Sequence, residues 1–302
     1  MKTKILSEEN KSAAADLCRL SMHLDTITNQ LFEEKTFGDA DFDPEITRVA
    51  YNDNSEKVIG FIMGVIRQRD EGKIGYIKLI CVYPEHRREG IASGLLNLVE
   101  EKFKKEKVTR IRVFESYPNY YMPGLDPFYT EAVCFFERNG YKKFSDTSNL
   151  EAVLVNQNFD TAEEEEKLKI DKIDILRAEK HDFEEALKWT EVNFKAWISE
   201  VKNSFENNPI SLYIAKKENE IIAFSAYETN NFGTGWFGPM GTSEKARGKG
   251  LGGILFKRCL GDMKKLGFQK AIIPWVGPIP FYMHYANSKV KRVFWRYEKL
   301  ME

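Results

Sequence analysis

Cysteine is scarce and scattered. The chain has four, Cys18, Cys81, Cys134 and Cys259, none at CxxC spacing. That argues against a zinc knuckle or a disulfide framework, so no metal site is expected and a reduced, cytoplasmic compartment fits. Long apolar runs are missing as well. None approaches the roughly 20 residues needed to span a bilayer. The polar opening from Met1 to Lys11 lacks the apolar core of a signal peptide. No membrane association is expected. Nor is one charge in excess: Lys plus Arg total 45 against Asp plus Glu 46, a formal net charge of −1. Non-specific nucleic-acid binding would need a basic excess or stripe, so no nucleic-acid partner is expected.

What is present is enough chain for two cores. At roughly 150 residues per domain, 302 residues predict two domains. The polar run Asn156 to Ala162 leads into Glu163-Glu164-Glu165-Glu166, the composition of a solvated linker. We therefore expect a domain over 1–157, an acidic linker over 158–170 and a second domain over 171–302. Both halves read in one order. Strand-like runs at Val58 to Ile66 and Ile74 to Val82 precede a long helix from Gly90 to Lys105. In the second half, Ile221 to Tyr227 and Gly235 to Met240 precede a helix from Gly250 to Leu266. Strands mixed with one long central helix per half predict an α/β or α+β domain used twice.

The repeat can be checked by offset. Arg87-Arg88-Glu89-Gly90-Ile91-Ala92 reads Arg-x-x-Gly-x-Ala, and Arg247-Gly248-Lys249-Gly250-Leu251-Gly252 reads Arg-x-x-Gly-x-Gly, 160 residues later (247 − 87). At the same offset Ile91, Leu95, Val99 and Phe103 fall on Leu251, Leu255, Cys259 and Met263. Each row steps by four, one face of a helix, which supports duplication. A strand–loop–helix junction of this kind suits a pyrophosphate. The first amides of a helix have no internal partner, the dipole is positive there, small residues leave the backbone accessible, and basic side chains add charge-assisted contacts. Gly248-x-Gly250-x-x-Gly253 also matches the dinucleotide fingerprint. The first half has Arg88, Gly90 and Ser93 at those positions, so the shared pattern is the Arg-led one and a Rossmann reading is rejected.

The runs Val82 to Ala92 and Thr242 to Gly252 resemble the acetyl-CoA-binding motif of the GNAT (GCN5-related) N-acetyltransferases. The runs Phe135 to Tyr141 and Phe281-Tyr282 resemble the family's later Phe-Tyr-Glu-Lys-x-Gly-Phe motif. The resemblance covers both halves and implies two tandem GNAT-like domains. Each would have a mixed, mostly antiparallel central sheet with flanking helices and a splayed strand pair holding the pantetheine of acetyl-CoA, the co-substrate. It implies backbone contacts from Cys81 and Val82 in the first half and from Gly241 and Thr242 in the second. The two loops, Arg87 to Ala92 and Arg247 to Gly252, would hold the rest of the cofactor.

The family places a tyrosine on the late helix, where it protonates the departing CoA thiolate. That position is Phe136 in the first half and Tyr282 in the second. The expectation is a catalytic C-terminal half, acting by direct attack of an amine, from a small molecule or a peptide, on the thioester. Catalysis in the N-terminal half, with Tyr129 supplying the phenol, and a binding protein without transferase activity are the alternatives. Past Tyr282 the family pattern breaks, since Met283-His284-Tyr285-Ala286-Asn287 stands in its place. Glu228 is the candidate base for the acceptor amine. The insertion Glu115 to Pro127, three tyrosines among prolines and a glycine, would wall a pocket or pack on the other domain. The sequence leaves the acceptor and the oligomeric state open.

Overall fold

The helical row read from the sequence is a buried face. Ile91, Leu95, Val99 and Phe103 on the first long helix, and Leu251, Leu255, Cys259 and Met263 on the second, are all at most 6% exposed. Burying a side chain of this size stabilises by about 1.5–3 kcal/mol, so each helix is held chiefly by its sheet. The structure, a computed structural model, describes residues 2–52 and 56–301.

In chain order the first half has β1 (Lys2–Ile5), α1 (Lys11–Ser21), α2 (Asn29–Lys35), β2 (Thr47–Tyr51), β3 (Val58–Arg69), β4 (Gly72–Val82), α3 (Ile91–Lys105), β5 (Arg110–Val113), α4 (Thr130–Arg138) and β6 (Lys142–Val153). The second has α5 (Ala162–Leu168), β7 (Ile173–Arg177), α6 (Phe183–Phe194), α7 (Ile198–Ser204), β8 (Leu212–Lys217), β9 (Glu220–Tyr227), β10 (Phe237–Thr242), α8 (Leu251–Lys265), β11 (Lys270–Ile273), α9 (Ile279–Ala286) and β12 (Lys289–Leu300). Among the described residues no helix is long and apolar enough to cross a membrane.

The chain forms two compact units: residues 1–147 with 293–302, and residues 148–292. The first unit thus ends with the chain's last strand. Its sheet runs β1-β2-β3-β4-β5-β12, antiparallel except for the parallel pair β4–β5. Phe294 and Tyr297 of β12 are fully buried there, and the Arg296 guanidinium makes a bidentate pair with Glu115, at 2.6 and 2.8 Å. The second unit carries the antiparallel sheet β10-β9-β8-β7 and the end of β6, Leu150–Val153, paired with β11. The acidic stretch, read from composition as a linker, is largely the helix α5 and belongs to the second unit. Leu168 is buried, and Glu164 and Glu165 pair with Lys257 and Arg258 of α8.

In each unit a strand pair opens. β4 and β5 pair only over Ile74–Ile77 and Arg110–Val113. Phe114 then turns the chain away at φ +66°. Trp236, just before β10, makes an isolated parallel bridge with Ile272 of β11.

Candidate functional site

Each long helix starts from the same turn. A short 3₁₀ turn (Pro84–His86, Glu244–Ala246) leads into an extended arginine, Arg87 at ψ 154° and Arg247 at ψ 155°. The N-caps Gly90 and Gly250 sit at φ +81° and +78°, a left-handed conformation that glycine adopts without strain. One step earlier Arg88 and Gly248 are also left-handed, at +66° and +84°. A side chain added at Gly90 or Gly250 would meet no atom within 4 Å. Both glycine caps therefore border open space.

The units part company beyond the loop. In the first, a cavity of about 1030 Å³ adjoins it. Cys81, Val82, Arg87, Arg88, Gly90, Ile91 and Ala92, seven of the eight residues expected there, line it; Glu89 does not. Glu89 lies instead 3.2 Å from the His86 imidazole. Ser93 on α3 and Phe135, Arg138 and Asn139 on or just past α4 form the facing walls. Cys81 is buried with its sulfur 3.5 Å from that of Cys18. Cys18 keeps its proton well above the usual thiol range, through the hydrogen bond to Cys81 and through burial.

At the far end of this cavity, sequence reasoning offered the insertion as a wall and Tyr129 as a phenol, but missed Met22, His23 and Phe114. That end is built by Met22 and His23 after α1, Phe114 after β5, Met122 and Leu125 of the insertion, and Tyr129. None belongs to a motif; the insertion's prolines and tyrosines were the one signal. The insertion walls the pocket and packs inside its own unit. Asn119 bonds the Glu34 carbonyl at 2.8 Å and Tyr121 the Thr26 carbonyl at 3.3 Å. Tyr129 donates its hydroxyl to Asp25 at 2.6 Å and accepts from the Leu24 N–H at 3.0 Å, with its ring edge-on to His23. Phe136, at the family's tyrosine position, is fully buried between Phe114, Phe135 and Tyr141.

In the second unit the matching space holds aromatic rings. A Cβ on Gly253, the counterpart of Ser93, would lie 2.2 Å from the Tyr285 ring, and one on Gly252 3.5 Å from Phe281. The α9 helix is thus packed onto the first turn of α8. Tyr282 is buried among Phe237, Phe256 and Phe281, with centroids at 6.2, 5.3 and 5.0 Å, and burial pushes its phenol up to about 12. Gly241 is covered by Phe194, whose ring lies 2.5 Å from where a Cβ would stand. Lys249 is paired with Asp171 at 2.6 Å. A groove of about 510 Å³ along α6 reaches Ser243, Lys245 and Lys249, but Arg247, Gly248, Gly250, Leu251, Gly252 and Tyr282 do not line it. Of the expected cofactor residues on this loop, Lys249 alone borders that groove, and α9 is packed on the side that is open in the first unit.

Glu228 is no free base. Its two carboxylate oxygens accept the backbone N–H groups of Trp236, at 2.7 Å, and Gly233. It closes the loop between β9 and β10.

No curated protein matches the chain. Solved structures do, at identities low enough that the likeness is one of fold. A GCN5-related glucosamine N-acetyltransferase region in a fungal multi-domain GH3 β-N-acetylglucosaminidase aligns with TM-score 0.82 and 18% identity, over 99% of this chain and 38% of that one. This chain therefore spans well under half of that protein. A GCN5-related N-acetyltransferase from Sphaerobacter thermophilus aligns with TM-score 0.72 and 15% identity, over 99% and 95% of the two chains. A tandem GNAT protein from the clavulanic acid biosynthesis pathway gives 0.69 and 14%, over 99% and 98%. The family model for GNAT acetyltransferases matches residues 17–123 and 173–282. With the duplicated loop, the splayed strands and these two matches together, the chain belongs to the acetyltransferase (GNAT) family, one copy of the domain in each half.

Proposed function

We propose that the protein is a cytoplasmic acetyl-CoA-dependent N-acetyltransferase whose N-terminal unit binds the cofactor and performs the transfer. The observation that carries this reading is the contrast beyond the loop: an open cleft between α3 and α4, against Tyr285 and Phe281 packed on α8. It reverses the expectation from Tyr282, whose phenol lies in an apolar cluster.

The residues of the first unit fit acetyl-CoA. The amides of the first turn of α3 and the exposed Arg87 and Arg88 suit a diphosphate. Ile80, Cys81 and Val82, on the stretch of β4 past its pairing with β5, suit the pantetheine arm. Acetyl-CoA supplies an activated thioester carbonyl. The chain's part is to hold an amine against it in a near-attack geometry and to take the amine's proton. His23 lines the far end of the cleft and is the imidazole there, so it receives that proton. The departing thiolate needs no dedicated phenol, because a thiol of pKa ~8.5 is readily reprotonated by water. Tyr129, bonded to Asp25, holds the α1–α2 loop in place.

The test is thiol release from acetyl-CoA with an amine panel. Gly90→Val puts a β-branched side chain at φ +81° over the open loop and should abolish activity, while Gly250→Val should retain it. The opposite pattern would return the chemistry to the second unit.

A further inference from the structure

The cleft has two chemically different ends. The loop end carries His86, Arg87, Arg88, Ser93, Arg138 and Asn139. The far end is walled by Met22, Phe114, Met122 and Leu125; the polar side chains beside them are His23, Tyr129, Ser21, which donates to the Val82 carbonyl, and Thr130, which donates to the Pro127 carbonyl. We propose that the acceptor is a primary amine carried on an apolar body, an arylalkyl- or alkylamine, seated against the four apolar side chains. The inference rests on the reading that acetyl-CoA occupies the loop end of the same cleft.

Charge argues first. A polyamine or another polycation needs carboxylates around it. Glu131 is the one carboxylate among the lining residues, and it sits in the first turn of α4 with Arg87 3.9 Å away as its partner. Asp25, near the far end, accepts the Tyr129 hydroxyl. Hydroxyl content argues second. A sugar amine would press several hydroxyls against methionine, leucine and phenylalanine, where they find no partners. An apolar seat also serves the chemistry. It disfavours the ammonium form by desolvation, so an alkylamine, mostly protonated in water, is delivered closer to its reactive state, with His23 at hand for the proton.

The experiment is thiol release from acetyl-CoA with phenethylamine, hexylamine, spermidine and glucosamine, alongside calorimetric titration with acetyl-CoA alone. The kcat/KM for phenethylamine should exceed that for spermidine and glucosamine by at least about tenfold, the size of effect a mismatched pocket produces. Preference for spermidine or glucosamine would overturn the inference, and so would no turnover of either apolar amine by a protein that binds acetyl-CoA. Failure to bind acetyl-CoA at all would bring down the proposed function and this inference with it.

Discussion

The two units begin their long helices with one turn and finish them with different neighbours. Gly90 and Gly250 agree within a few degrees, at φ +81° and +78°, and both helices run for fifteen residues. Yet Ser93 and Asn139 border a cavity in one unit, while Gly253 and Tyr285 close the space in the other. The lesson is that a loop motif reports backbone geometry only. Whether it serves a ligand is decided by the side chains that the next helix brings over it. Gly253 shows this: its missing side chain admits the Tyr285 ring, so a small residue that reads as ligand access is used for packing.

The largest way to break the comparison is to remove residues 293–302. The first unit would lose β12, with the buried Phe294 and Tyr297 and the partner of Glu115. We expect it to unfold, with complete loss of acetyl-CoA binding. Scanning calorimetry should show its transition gone and that of the second unit kept.

Asp39→Asn comes next. The carboxylate of Asp39 is buried between Arg67, at 2.6 and 2.7 Å, and Lys78. Burial alone would raise its pKa, but the hydrogen bonds and charges of Arg67 and Lys78 bring it down to about 2. The substitution leaves buried Lys78, whose pKa burial lowers to about 7, without its carboxylate, and Arg67 with Asp41 alone; it should cost the first unit about 3 kcal/mol, the low side of breaking a buried pair, read by urea unfolding. The pH dependence has a definite sign. A carboxyl held below its unfolded value stabilises above that value, so this contribution is full above about pH 4 and is lost as pH falls toward about 2. The variant should lack that acid limb.

His23→Ala should lower kcat by about 10²-fold, the low side of general base catalysis. The measurement is kcat for thiol release with the amine of the panel that turns over fastest. Tyr282→Phe should do least. Its hydroxyl lies among phenylalanine rings, so the rate should stay within about twofold, an effect far below that of losing a general acid.

What the sequence made legible was local. The apolar rows of α3 and α8 and the two loops follow from helix spacing and from glycine at a left-handed cap. What it hid was non-local. Glu115 meets Arg296 across 181 residues of chain, and no periodicity signals that pairing. The twelve residues of β6 alternate few apolar positions before Leu150, so only its end reads as strand. The far wall of the cleft comes from loops, where Met22, Met122 and Leu125 carry no pattern. The broken motif after Tyr282 was visible, but its meaning needed the position of Tyr285 against Gly253.

The most direct test of the difference between the units is the stoichiometry of acetyl-CoA binding by isothermal titration calorimetry, on the intact chain and on the two loop variants. One site per chain is expected, lost in Gly90→Val and kept in Gly250→Val. Two sites, or a single site that survives Gly90→Val and disappears in Gly250→Val, would contradict the account.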